Sequence, residues 1–121
     1  MKILDPQRLT RAFGHSMKGL QEAFQKETAC QQELILLFVL TPIVFFLDVT
    51  VPEKVLLIAS LLLVLIVEIL NTAIETIVNL VSPAQHPLAK YAKDLGSAAV
   101  FLSLILGLLV WAALLGNRYL F

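Results

Sequence analysis

Two carboxylates and two amides interrupt an otherwise apolar run in Val67-Glu68-Ile69-Leu70-Asn71-Thr72-Ala73-Ile74-Glu75-Thr76-Ile77-Val78-Asn79. At about 100° per residue, Glu68, Asn71, Glu75 and Asn79 fall on one face of a helix, and the large aliphatic residues point elsewhere. An ionisable group inside a membrane span costs about 2.5–3.5 kcal/mol on insertion scales, and carboxylates there usually mark function. The plainer reading is polar glue between helices of an oligomer. Two glutamates seven residues apart, with an amide between them, are a costly glue. Further along, Lys93-Asp94-Leu95-Gly96-Ser97-Ala98-Ala99 opens the last apolar block. Asp94, Ser97 and Ala98 share a face, and the small residues permit close helix approach. Asp94 also suits the first turn of a helix beginning near Lys93, and Lys93 suits a snorkelling position. Glu27 stands where an N-terminal arm meets the first apolar block; in isolation it reads as a solvated boundary carboxylate.

Carboxylates from separate segments, a lysine and an arginine-bearing arm suit phosphoryl transfer. Mg²⁺ on nucleotide phosphates takes one or two protein carboxylates. A nearby cation offsets phosphate charge. A further carboxylate can accept the proton of an attacking hydroxyl. Such a set could phosphorylate a lipid alcohol at the bilayer surface, although an ion or proton pathway would draw on the same residue types. Other chemistries fit poorly. Gly14-His15-Ser16-Met17-Lys18-Gly19-Leu20-Gln21 has P-loop glycine spacing, but Leu20-Gln21 replaces the Lys-Ser/Thr and no strand precedes it. No protein-kinase glycine loop or HRD/DFG pair is present. His15 and His86 are too few for a histidine metal site. Cys30 is a lone cysteine, unable to form an intrachain disulfide.

The elements that must position these groups are membrane spans. The chain has 121 residues, 59% of them hydrophobic and 15% charged, and a mean hydropathy of +0.87. A soluble globule this small would expose much of that apolar surface. Nine Lys/Arg balance nine Asp/Glu, leaving no net charge to attract nucleic acid. Of three apolar blocks, Leu95–Leu115 alone meets the about 20 residues a span needs. Leu34–Leu47 is short, so its helix must begin earlier, near Ala29, with Gln31, Gln32 and Glu33 in the headgroup zone, and Val55–Val67 must run on past Glu68 to Val81. The fold expected is an all-α membrane protein, one domain over 1–121, with an interfacial helix over 6–26 and membrane helices over 29–47, 54–81 and 93–116. Asp48–Lys54 reads as a tight turn and Ser82–Ala92 as a loop. Leu9, Ala12, Phe13, Met17, Leu20 and Phe24 recur at helical spacing in the arm, predicting an amphipathic helix on the membrane surface. Lys2, Arg8, Arg11, Lys18, Lys26, Lys90 and Lys93, seven of the nine basic residues, fall on one side of a three-span chain. That side is predicted to be cytoplasmic and to hold the N-terminus.

These residues resemble those of the small bacterial integral-membrane diacylglycerol kinases. The strongest pieces are Glu68-Ile-Leu-Asn71-Thr-Ala-Ile-Glu75 and Ala92-Lys93-Asp94-Leu-Gly-Ser97-Ala-Ala; Ser16-Met17-Lys18-Gly19-Leu20 and Glu27 also fit. The resemblance implies a homotrimer whose active sites are shared between neighbouring subunits, in the bacterial inner membrane. It implies transfer of the γ-phosphoryl of MgATP to the hydroxyl of diacylglycerol, giving phosphatidate in phospholipid recycling. By position, Glu68 is expected as general base, with Asn71, Lys93 and Asp94 beside it. Glu27 and Glu75 are expected to hold Mg²⁺. Arg8, His15, Glu27, Glu75, His86, Lys93 and Asp94 are expected at the nucleotide. Arg8, Lys54, Glu68 and Ser97 are expected at the lipid. His15, Met17 and Gln85 depart from aromatic residues common in the family. His86-Pro87-Leu88-Ala89-Lys90 is closer to the undecaprenol kinases, a sister branch. A small multimeric transporter or channel is the alternative from another class.

Overall fold

A computed structural model describes residues 3–121 as an all-helical chain: α1 (Pro6–Lys26), α2 (Thr28–Phe45), α3 (Val51–Val81) and α4 (Pro87–Tyr119). Lys2, counted above among the basic residues, lies outside the described residues. Three of these helices, α2, α3 and α4, are long and apolar enough to cross a membrane.

Local chemistry sets each boundary. Asp5 caps α1, its carboxylate accepting from the backbone N–H groups of Gln7 at 3.1 Å and Arg8 at 3.3 Å, and Pro6 supplies a pre-set φ at the first position. Glu27 alone is extended (φ −113°, ψ 115°), so one residue joins the arm to the first span. Pro42 lies inside α2, where it removes one backbone bond without ending the helix.

The helices differ in extent from the predicted 29–47, 54–81 and 93–116. The first ends at Phe45, and residues 46–50 form the turn. The second starts at Val51, because Thr50 and Glu53 form a reciprocal capping box: the Glu53 N–H donates to the Thr50 hydroxyl at 3.3 Å, and the Thr50 N–H donates to Glu53 at 3.0 Å. The third starts at Pro87, six residues earlier than predicted. His86 caps it, Nδ1 accepting from the Leu88 N–H at 3.1 Å. Most of the predicted loop Ser82–Ala92 is therefore helix. Pro87, read as a loop residue, instead occupies a first-turn position that needs no donor. Asp94 consequently lies two turns inside α4 and is no cap.

The central helix is α3, packed against both α2 and α4, while α1 touches α2. The buried interior is narrow: Cys30, Val44, Leu57, Val64 and Leu65, with the hydroxyls of Ser60 and Ser103. Trp111 of α4 donates its indole N–H to Ser60 at 3.0 Å, and Ser60 donates to the Leu57 carbonyl at 2.7 Å. Large apolar residues such as Phe38 (74% exposed) and Leu108 (71% exposed) point outward. A surface of that kind is stable against lipid or another protein surface, not water.

Candidate active site at one end of the spans

The polar face of α3 begins at Glu68. Glu68, Asn71 and Glu75 are half-buried, and Asn79 is exposed one turn further on. The Asn71 side-chain N–H donates to the Glu75 carboxylate at 3.2 Å. Glu68 lies within electrostatic reach of both Glu75 and Glu27, so the joint between α1 and α2 delivers Glu27 to the α3 stripe. Glu33 is also within reach of Glu68. Cys30, buried on the same stretch of α2, faces Thr72. Sequence reasoning put Glu33 in the headgroup zone, read Cys30 only as a lone cysteine and gave Thr72 no role. The usable signal was the spacing of Glu33 three residues after Cys30, which turns both toward one neighbouring helix.

Beyond this cluster, a pocket of about 720 Å³ opens between the end of α3, the second connector and the start of α4. Asn79, Gln85, His86, Lys90, Lys93 and Asp94 line it. Asp94 is bound by Lys90, whose ammonium donates to it at 2.7 Å. Lys90 was missed as a site residue, although its i, i+4 spacing to Asp94 was visible. Lys93 has no ion-pair partner among the described residues. Ser97 is exposed one turn along from Asp94.

Three expected residues stand apart within one copy. Arg8 is exposed in the first turn of α1, about 28 Å along the helix from Glu27 at ~1.5 Å per residue. His15 is exposed on the same helix, about 18 Å away by the same measure. Lys54 is at the other end of α3, about 21 Å along its axis from Glu68, where its ammonium donates to the Phe45 carbonyl at 2.9 Å and caps α2.

Among the described residues, no group of three or more His, Cys, Asp or Glu side chains is arranged so that it could hold a metal ion by itself. The donor set nevertheless fits a hard divalent cation. Glu27 at the α1–α2 joint, Glu33 of α2 and Glu75 of α3 lie within electrostatic reach of Glu68, and these carboxylates offer the oxygen donors such a cation prefers over the nearby Cys30 thiol. A cation that brings phosphate ligands with it needs only one or two of them.

The three span-capable helices define the class, a multi-pass membrane protein, here with a cluster of carboxylates at one end of those helices. The family model described as prokaryotic diacylglycerol kinase matches residues 14–115. A diacylglycerol kinase of Pseudomonas aeruginosa is 48% identical over 108 residues, covering 89% of this chain and 88% of the relative. Those of Escherichia coli K12 (42%, 93% of this chain and 92% of the relative) and Haemophilus influenzae (44%, 88% and 91%) are similar along nearly their whole lengths. The chain belongs to the prokaryotic diacylglycerol kinase family.

Proposed function

We propose that this protein is an ATP-dependent lipid kinase that transfers the γ-phosphoryl group to the free hydroxyl of diacylglycerol, giving phosphatidate. The observation that carries this reading is the grouping of Glu27, Glu68, Asn71 and Glu75 beside the Lys93–Asp94 pocket, in a chain of this family. The relatives' shared name supports diacylglycerol over undecaprenol.

In this reading Glu68 takes the hydroxyl proton. The freed oxygen forms a bond to the γ-phosphorus, the bond from that phosphorus to the β–γ bridging oxygen breaks, and ADP leaves. Asn71 holds the Glu75 carboxylate in place through its 3.2 Å hydrogen bond. Glu27 and Glu75 would hold Mg²⁺, which offsets the charge of the phosphates when bound. Lys93 supplies a free cation toward the same phosphates, and Asp94 is kept in position by Lys90. His86 lines the pocket that would take the rest of the nucleotide. Ser97 and Arg8 are assigned to the lipid, and Arg8 and His15 also to the nucleotide; Lys54, expected at the lipid, is at the opposite end of α3 on the Phe45 carbonyl and is given no part in the reaction.

The protein works as a homotrimer in the bacterial inner membrane, with a cytoplasmic N-terminus and α1 lying in the interface. The basic-residue asymmetry supports the orientation, and the outward-facing Leu9, Phe13, Met17 and Phe24 support the interfacial arm. The distance of Arg8 and His15 from the cluster within one copy supports a site shared between subunits, where a neighbour's arm brings them in.

A lipid panel with γ-labelled ATP in mixed micelles tests this. Labelled phosphatidate from diacylglycerol, faster than labelling of undecaprenol, is expected. The reverse preference would move the protein to the undecaprenol branch. ATP-independent ion flux in proteoliposomes without lipid labelling would favour a channel.

A further inference from the structure

Asn71 stands out because only half of its amide is partnered. Its N–H group donates to Glu75 at 3.2 Å. Its oxygen is buried and accepts nothing. That oxygen lies against Gly96 of α4, which is itself buried. A Cβ at position 96 would overlap the Asn71 oxygen and come within 3.2 Å of its Cγ. The amide has one workable orientation: turned over, its oxygen would face the Glu75 carboxylate, and two acceptors would repel. The oxygen must therefore point at α4, and α4 must leave room for it there. Gly107, half-buried on the same helix, does not share this constraint. A Cβ on Gly107, about three turns further along α4, would meet only Val64 Cγ2 at 3.8 Å, an ordinary contact.

We infer that Gly96 is a positioning residue: by leaving space on α4 for the Asn71 oxygen, it fixes the Asn71 amide so that its N–H holds the Glu75 carboxylate in the orientation that binds the metal–nucleotide. This rests on the proposed role of Glu75. It adds a residue that touches neither substrate nor metal. An alanine at 96 would swing the Asn71 amide about its χ angles, take the N–H away from Glu75 and release that carboxylate. Residues that orient metal ligands typically change metal affinity or activity 10- to 100-fold when lost.

The test is a double-mutant cycle on the full-length protein in detergent micelles, with Gly96→Ala, Asn71→Ala and the pair together, and with Gly107→Ala as the comparison. Thermal midpoint and Mg²⁺-dependent ATP affinity are both read. Gly96→Ala is expected to weaken Mg²⁺-dependent ATP binding about 10-fold or more and to lower the midpoint. Added to Asn71→Ala, the same change is expected to do neither, because the oxygen it collides with is gone. If Gly96→Ala alone does not fold, recovery of folding in the double variant gives the same answer. Equal behaviour of Gly96→Ala and Gly107→Ala would overturn the inference. So would a Gly96→Ala defect that persists in full without the Asn71 side chain. Glu75→Gln is measured alongside: unchanged ATP affinity there would overturn the metal role of Glu75, and the thermal cycle, which needs no nucleotide, would still decide whether Gly96 seats Asn71.

Discussion

The two ends of the α3–α4 pair treat their polar groups in opposite ways. At the end holding the α2–α3 turn, the groups answer one another. Arg118 pairs with the Asp48 carboxylate and donates to the Asp48 carbonyl at 2.7 Å, the Asp48 N–H donates to the Tyr119 hydroxyl at 3.1 Å, and Lys54 caps α2. A little deeper, Trp111 is tied to Ser60. At the other end Asn71 donates to Glu75 and Lys90 pairs with Asp94, but Glu68 lies within electrostatic reach of Glu75, Glu27 and Glu33, and neither Glu68 nor Lys93 has an ion-pair partner among the described residues. Partnered groups stabilise a fold. Like charges gathered without partners cost stability unless something else arrives to meet them. The first end is a structural clasp, and the second has the uncompensated charge that the proposed nucleotide site would use.

Changes at the two ends should therefore separate stability from activity. The largest effect is expected from Glu68→Gln. Losing a general base costs about 10²- to 10⁴-fold in turnover, while removal of one charge from a repelling group should leave the thermal midpoint unchanged or higher. A fall in midpoint large enough to explain the lost turnover, or dissociation of the oligomer, would make Glu68 structural glue instead.

Much of this contrast was legible in the residues. The arm over 6–26 coincides with α1, because Asp5-Pro6 is a strong local start signal. The Glu68–Asn71–Glu75 face follows from helical periodicity alone. The start of α4 at Pro87 was missed, because Pro83, His86 and Pro87 together looked like loop chemistry when only the first of these prolines lies outside a helix. The clasp was not legible at all. Asp48 meets Arg118 across 70 residues, and Ser60 meets Trp111 across 51. Nothing local in either partner announces the other. Gly96 was read as a small residue permitting close approach, but the group approaching it could be identified only with α3 and α4 in register.

A smaller effect is expected at the clasp end. Trp111→Phe removes the forked interhelical hydrogen bond to Ser60 and the Leu57 carbonyl while keeping an aromatic ring, which should cost about 0.6–1 kcal/mol of stability. Chemical denaturation in micelles measures it, and turnover per folded protein should be unchanged. Smaller still is Arg118→Ala. Its partner Asp48 is mostly exposed, so the loss should be at most about 1 kcal/mol, and it should shrink at high salt as screening weakens the parent's ion pair. A turnover defect in either variant, at full folding, would dissolve the distinction between the two ends.

The most direct measurement is the thermal midpoint of the purified protein with ATP alone, Mg²⁺ alone and both together, in the parent and in Glu75→Gln. The parent should gain stability chiefly when both are present, in proportion to the logarithm of their concentration, and Glu75→Gln should lose most of that gain. An equal gain in both proteins, or none in the parent, would contradict the assignment of these membrane carboxylates to a metal-bound nucleotide.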